Sequence, residues 1–147
     1  MFTHLLVPVD GTELSERAAQ VSLELAAKLG ARVTGFVAEP MPPLPTMSAN
    51  VATYQRDADA HHARTEEHAR NVLAAFSAKA QQAGVAFDGR FQRNDSVDDA
   101  IAKAAVEFGC DLIVMVTHGR GAFGELLFGS HTKNVMSRCK VPLLVLH

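Results

Sequence analysis

The stretch from Asp111 to Val135, DLIVMVTHGRGAFGELLFGSHTKNV, holds most of the residues suited to grip a phosphate. Gly119, Gly121 and Gly124 match G-x-G-x-x-G, and Gly124 to Ser130 repeats the glycine spacing of a P-loop. Neither literal match carries its full chemistry. A dinucleotide fingerprint needs an acidic residue about 20 positions on, to hold a ribose. Here Glu125 is the last acidic residue and the sequence closes 23 residues after Gly124. A P-loop needs a lysine where Ser130 stands. Two physical features remain. Glycines let backbone amides turn inward and approach phosphate oxygens closely. Gly129-Ser130 opens a helical pattern, whose free N–H groups and dipole favour an anion. Thr117, Ser130 and Thr132 add hydroxyls and Arg120 adds positive charge. On the residues alone two readings stand: an anion cradle, or a glycine-rich connection with a serine N-cap and no ligand.

These residues need elements to position them. FTHLLVPV reads as a strand that ends at Asp10-Gly11, and Thr12 suits an N-cap. Leu14, Ala18, Val21, Leu25 and Leu29 repeat at helical spacing up to Gly30. RVTGFVA reads as a second strand, followed by EPMPPLPTMSAN, a loop with four of the chain's six prolines. A long helical stretch follows, with Ala69, Val72, Leu73, Phe76 and Ala80 on one face, and Gly84 ends it. VAFDGRFQ reads as a third strand. Ser96 caps a helix that turns Val97, Ile101, Ala104, Ala105 and Phe108 inward, stopped by Gly109. DLIVMV reads as a strand buried on both faces. After the glycine loop come a short helix, about Ser130 to Arg138, and a last strand, VPLLVL. Pro142 places that strand's start, or puts it at an edge.

The alternation β-α-β-α-β-α-β-α-β predicts a doubly wound α/β domain over residues 1–147. Such alternation means a mostly parallel five-stranded sheet with helices on both faces, and if its order is 3-2-1-4-5, strands one and four flank the switch point. In such sheets ligands bind beyond the carboxyl ends of the strands, at the switch point in strand order. Asp10 and the glycine loop would then face one crevice. The 147-residue length fits one domain, and 48% hydrophobic residues suffice for a core. A net charge of −2 argues against general nucleic-acid binding. No apolar run approaches the roughly 18 residues of a membrane span, and the N-terminus lacks a signal peptide's basic region, so a cytoplasmic location is expected. Cys110 and Cys139 have no metal or C-x-x-C spacing and read as reduced thiols.

Other constellations offer less. His61, His62 and His68 share a helical stretch with Asp57 and Glu66, but without an i, i+4 histidine pair a solvated face is the simpler reading, and no metal site is expected. His118 lies in the glycine loop with no serine or cysteine at a nucleophile elbow beside it. No catalytic residue is assigned.

The chain resembles the universal stress protein family over nearly its whole length. LLVPVDGTELSERA looks like that family's opening strand, aspartate and first helix, ARVTGFVAEP like its second strand, and the stretch from Asp111 to His147 like its final third. Nucleotide-binding members carry G-x-x-G, nine residues, then G-[ST]. Gly119 and Gly129-Ser130 fit the later part, whereas Val116 stands at the first glycine. The resemblance implies a Rossmann-like, adenine nucleotide alpha hydrolase-like fold. It also implies an ATP-binding stress-response switch, with Mg2+ as a companion, that dimerises through the C-terminal strand. Carried over by position, Pro8, Val9, Asp10, Val37 and Met115 would line the adenosine site. Gly119, Arg120, Gly129, Ser130, His131 and Thr132 would hold the phosphates. Without a P-loop lysine or paired carboxylates, at most slow hydrolysis or autophosphorylation is expected. A nucleotide-free dimer acting through protein contacts is the alternative that Val116 favours.

Overall fold

The computed structural model describes residues 1–48, 50–116 and 130–147, apart from the side chains of Ser130 and His131. Five strands alternate with four helices: β1 (His4–Pro8), α1 (Glu13–Leu29), β2 (Arg32–Glu39), α2 (Val51–Ala83), β3 (Phe87–Arg93), α3 (Val97–Glu107), β4 (Leu112–Val116), α4 (Ser130–Arg138) and β5 (Leu143–Leu146). The sheet runs β3-β2-β1-β4-β5, and every described pairing is parallel. The chain thus leaves β1 in one direction for β2 and β3, and in the other for β4 and β5. The predicted strand order and its switch point hold.

Alternation along the strands feeds two separate cores. Leu5, Val7, Val33, Val37 and Val114 face α1 and α2, with Leu23, Phe76 and Ala80. Leu6, Phe36, Ile113 and Met115 face α3 and α4, with Ile101 and Val135. Central strands buried on both faces are what near-continuous apolar runs such as LIVMV dictate.

Local chemistry sets the helix ends. Thr12 caps α1, its side chain accepting from the Ser15 amide, and Gly30 closes it at φ 65°. Ser96 and Asn50 cap α3 and α2 in the same way. Of the stripe expected in α1, Leu14, Ala18, Val21, Leu25 and Leu29, the fully buried member is Ala18. The buried face centres on Ser15, Ala18, Ala19, Ser22, Leu23 and Ala26, while Leu25 and Leu29 only flank the core. Small side chains let the helix lie close to the sheet. Ser22 can be buried because its hydroxyl donates to the Ala18 carbonyl at 2.6 Å.

Gly35 in β2 is required for a similar reason. A Cβ there would sit 2.7 Å from the Phe87 ring and 2.9 Å from Phe76. Those two rings pack against each other with centroids 4.8 Å apart. Gly35→Ala should therefore overpack this core and cost about 1–3 kcal/mol. The measurement is urea unfolding, in which the midpoint should fall with an unchanged slope.

The join between β1 and β4 is reinforced at its amino end. The Asp111 carboxylate accepts from the Thr3 amide at 2.9 Å, the Thr3 hydroxyl at 2.8 Å and the His4 amide at 2.9 Å. The Asp111 amide donates to the His4 carbonyl at 2.9 Å. Desolvation pushes this carboxyl's pKa up, but the hydrogen bonds from His4 and Thr3 outweigh it and hold the pKa below the ordinary value. A carboxyl with a depressed folded pKa stabilises the fold above its unfolded value, about 4, and loses that contribution as pH falls through the folded one. Asp111→Asn should cost about 1 kcal/mol at pH 7. Unfolding curves of the two proteins should converge as pH drops below about 4; a gap independent of pH would contradict this account.

Candidate functional site

Beyond the carboxyl ends of β1 and β4 lies a crevice of about 340 Å³. Pro8, Val9 and Asp10 form the end of β1; Phe36 and Ala38 come from β2, and Met115 and Val116 from β4. Val97 and Ile101 of α3 close one side. Thr12 and Ser15 bring in the start of α1, and Thr132 the first turn of α4. The wall is mostly apolar with hydroxyls at its edges. Asp10 is the one ionisable side chain among its described lining residues. Such a slot suits a flat heterocycle joined to hydroxyl-bearing groups. The first turns of α1, α3 and α4 all contribute to it, and helix N-termini favour a negatively charged group.

Asp10 is held from several directions. Its Oδ1 accepts from the Thr12 amide at 2.9 Å and the Thr12 hydroxyl at 2.6 Å. Its own amide donates to Ser15 Oγ at 3.2 Å. The next residue, Gly11, takes φ 82°, a conformation that L side chains rarely adopt. The Asp-Gly pair is therefore a turn former and a crevice residue at once.

Of the residues expected at the site, Pro8, Val9, Asp10, Met115 and Thr132 converge on the crevice. Val37 does not. It is 1% exposed and belongs to the core under α1 and α2, on the opposite sheet face. Its neighbours Phe36 and Ala38 face the crevice instead. Alternate residues of a strand share a face, and the pairing of Pro8 with Phe36 turns Phe36, not Val37, to the crevice. Val97 and Ile101 read only as inward helix positions in sequence, yet they also form the wall. Gly119, Arg120 and Gly129, with Thr117 and His118, lie outside the described residues. Ser130 and His131 open α4, so their backbone begins the helix whose Thr132 is buried at the crevice.

Elsewhere among the described residues, two histidines of α2 reach backbone carbonyls. His61 Nε2 lies 3.1 Å from the Pro40 carbonyl, and His68 Nε2 lies 3.0 Å from the Asp10 carbonyl. No group of three or more His, Cys, Asp or Glu among the described residues is arranged to hold a metal ion. At the opposite, amino edge of the sheet, His4 is buried with Nε2 2.8 Å from Thr34 Oγ1. Burial, then Arg32, lowers its pKa. Cys110 and Cys139 are both free, and burial raises the Cys110 pKa to about 11, which makes it a poor nucleophile. Among the described residues, no helix is long and apolar enough to cross a membrane.

Comparison with known proteins agrees with this architecture. The chain matches the universal stress protein family over residues 1–147. It is 29% identical over 145 residues to a universal stress protein of Thermus aquaticus, an alignment spanning 99% of this chain and 98% of the relative. A crystal structure from the family in Burkholderia pseudomallei superposes with a TM-score of 0.74 at 26% identity, covering 99% of this chain and 96% of the other. A universal stress protein solved in complex with cAMP superposes at 0.71 with 22% identity, covering 99% of this chain and 97% of the other. The chain belongs to the universal stress protein family.

Proposed function

We propose that the protein binds ATP or a related adenine nucleotide in the crevice between β1 and β4, and acts as a homodimeric switch in a cytoplasmic stress response. The observation that carries this reading is the crevice itself. An apolar slot large enough for a base meets the Asp10 turn and the start of α4 at the switch point, where open parallel sheets take their ligands. The cAMP complex of a structural neighbour supports an adenine nucleotide as the occupant. Phe36, Ala38, Ile101 and Met115 would enclose the base, and Asp10 would meet ribose hydroxyls or a base edge. The amides and hydroxyls at the start of α4, with Gly119, Arg120 and Gly129 from the connecting loop, would hold the phosphates. Mg2+ would then be bound mainly by the phosphates, since Asp10 is the one carboxylate on the described wall. That chemistry suits binding, with at most slow hydrolysis or autophosphorylation. The edge position of β5, with Leu144 partly exposed, suits pairing with a second copy.

The second reading, a nucleotide-free dimer that works through protein contacts, is favoured by one observation. Val116 stands on the crevice wall, where its branched side chain takes space that a glycine would leave.

Protein purified without added nucleotide decides between them. It is denatured and its supernatant chromatographed against AMP, ADP and ATP standards, and the folded protein is titrated with ATP by calorimetry. Co-purified nucleotide or micromolar binding is expected, lost in Gly129→Trp and weakened about tenfold in Asp10→Ala, equivalent to about 1.4 kcal/mol. Val116→Gly should change affinity little. Silence up to millimolar ATP, with a large gain on Val116→Gly, would establish the second reading.

A further inference from the structure

The back of the Asp10–Gly11 turn rests on α2. His68 Nε2 lies 3.0 Å from the Asp10 carbonyl oxygen and 3.7 Å from Glu39 Oε1 at the end of β2. A carbonyl only accepts, so Nε2 carries the proton. The imidazole also fills the space beneath Gly11. A Cβ there would meet His68 Cε1 at 3.2 Å and Val72 at 3.0 Å. His68 thus links the ends of two strands to one helix, on the sheet face opposite the crevice.

We infer that His68 is a positioning residue for nucleotide binding: from behind the sheet it sets the Asp10–Gly11 turn, and with it the carboxylate that faces the ligand. The inference rests on the nucleotide reading above. From the front, Thr12 and Ser15 hold the Asp10 carboxylate and amide. The Asp10 carbonyl points the other way, to His68. Removing the Nε2 donor frees the turn to rotate about Gly11, whose φ 82° glycine backbone resists rotation least. The fold does not need this bond. His68 is 49% exposed, and α2 is anchored independently by the buried Ala69, Phe76 and Ala80.

The test compares full-length wild type, His68→Phe and His68→Gln. Phenylalanine keeps a ring beneath Gly11 without a donor, and the glutamine carboxamide can place an N–H near the position of Nε2. Each protein is titrated by calorimetry with AMP and with 2′,3′-dideoxyadenosine monophosphate, which lacks the ribose hydroxyls. Amide exchange at Gly11 and Thr12 is followed in parallel. Wild type should prefer AMP. In His68→Phe the affinity for AMP should fall about tenfold, the scale of one lost hydrogen bond to a placed polar group, while the dideoxy compound binds as before. His68→Gln should restore most of the preference. Exchange at Thr12, whose amide donates to Asp10 Oδ1, should quicken in His68→Phe only. An unchanged preference in His68→Phe with slow exchange at Thr12 would overturn the inference. So would equal losses for both ligands, or a His68→Gln protein as impaired as His68→Phe. If wild type binds neither AMP nor ATP, the nucleotide reading falls separately, and exchange at Thr12 alone decides whether His68 sets the turn.

Discussion

The pairing of β1 with β4 is the contact on which the rest of this molecule depends. β1 is the strand at which the chain's path through the sheet reverses. It is buried on both faces, with Leu5 and Val7 in one core and Leu6 in the other. Its partner β4 is apolar throughout, so its side chains alone specify the register weakly. The Asp111 carboxylate removes that freedom, because three donors from Thr3 and His4 reach it only when the amino ends of the two strands are level. With the amino ends fixed, the carboxyl ends are fixed as well. The crevice between Asp10 and Val116 is therefore the far end of a clamp made at Asp111.

That geometry places one turn in two roles of the architecture, as the chain reversal and as part of the crevice wall. The Asp-Gly pair after β1 must reverse the chain into α1, and it does so with a carboxylate folded back on Thr12. The same reversal brings the start of α1 to the crevice. Turn chemistry and a place on the crevice wall are thus compatible for Asp10, since the turn holds its carboxylate in one position.

The succession of strands and helices was legible because apolar runs, caps and glycine stops are local signals, whereas the sheet order β3-β2-β1-β4-β5 is set by pairings between distant segments. Thr12, Gly30, Ser96 and Gly84 act where their chemistry places them. The side-chain roles that escaped were those set by packing. Ser15 and Ser22 are buried in α1, where hydrophobicity alone favours the leucines, because close approach to the sheet rewards small side chains that satisfy their own hydroxyls. Val37 was placed in the site by positional likeness, yet strand alternation turns it to the other core. Three histidines on one helix suggest a metal or a wet surface. The face is largely solvent-exposed, and from it His61 and His68 also meet backbone carbonyls that end two other elements, contacts between residues 21 and 58 positions apart that no spacing rule reveals.

Phe36, Ala38, Val97, Ile101 and Met115, which shape most of the crevice, all belong to the layer between the sheet and α3 and α4. The layer under α1 and α2 shares backbone with them but few side chains. Substitutions that enlarge, narrow or reshape the pocket can therefore accumulate in one layer while the other goes on supplying stability unaltered. A fold divided in this way can drift toward a differently sized occupant without passing through an unfolded intermediate form, and the few residues that see both layers, Val9 and the Asp10–Gly11 turn foremost, are where that drift should be slowest.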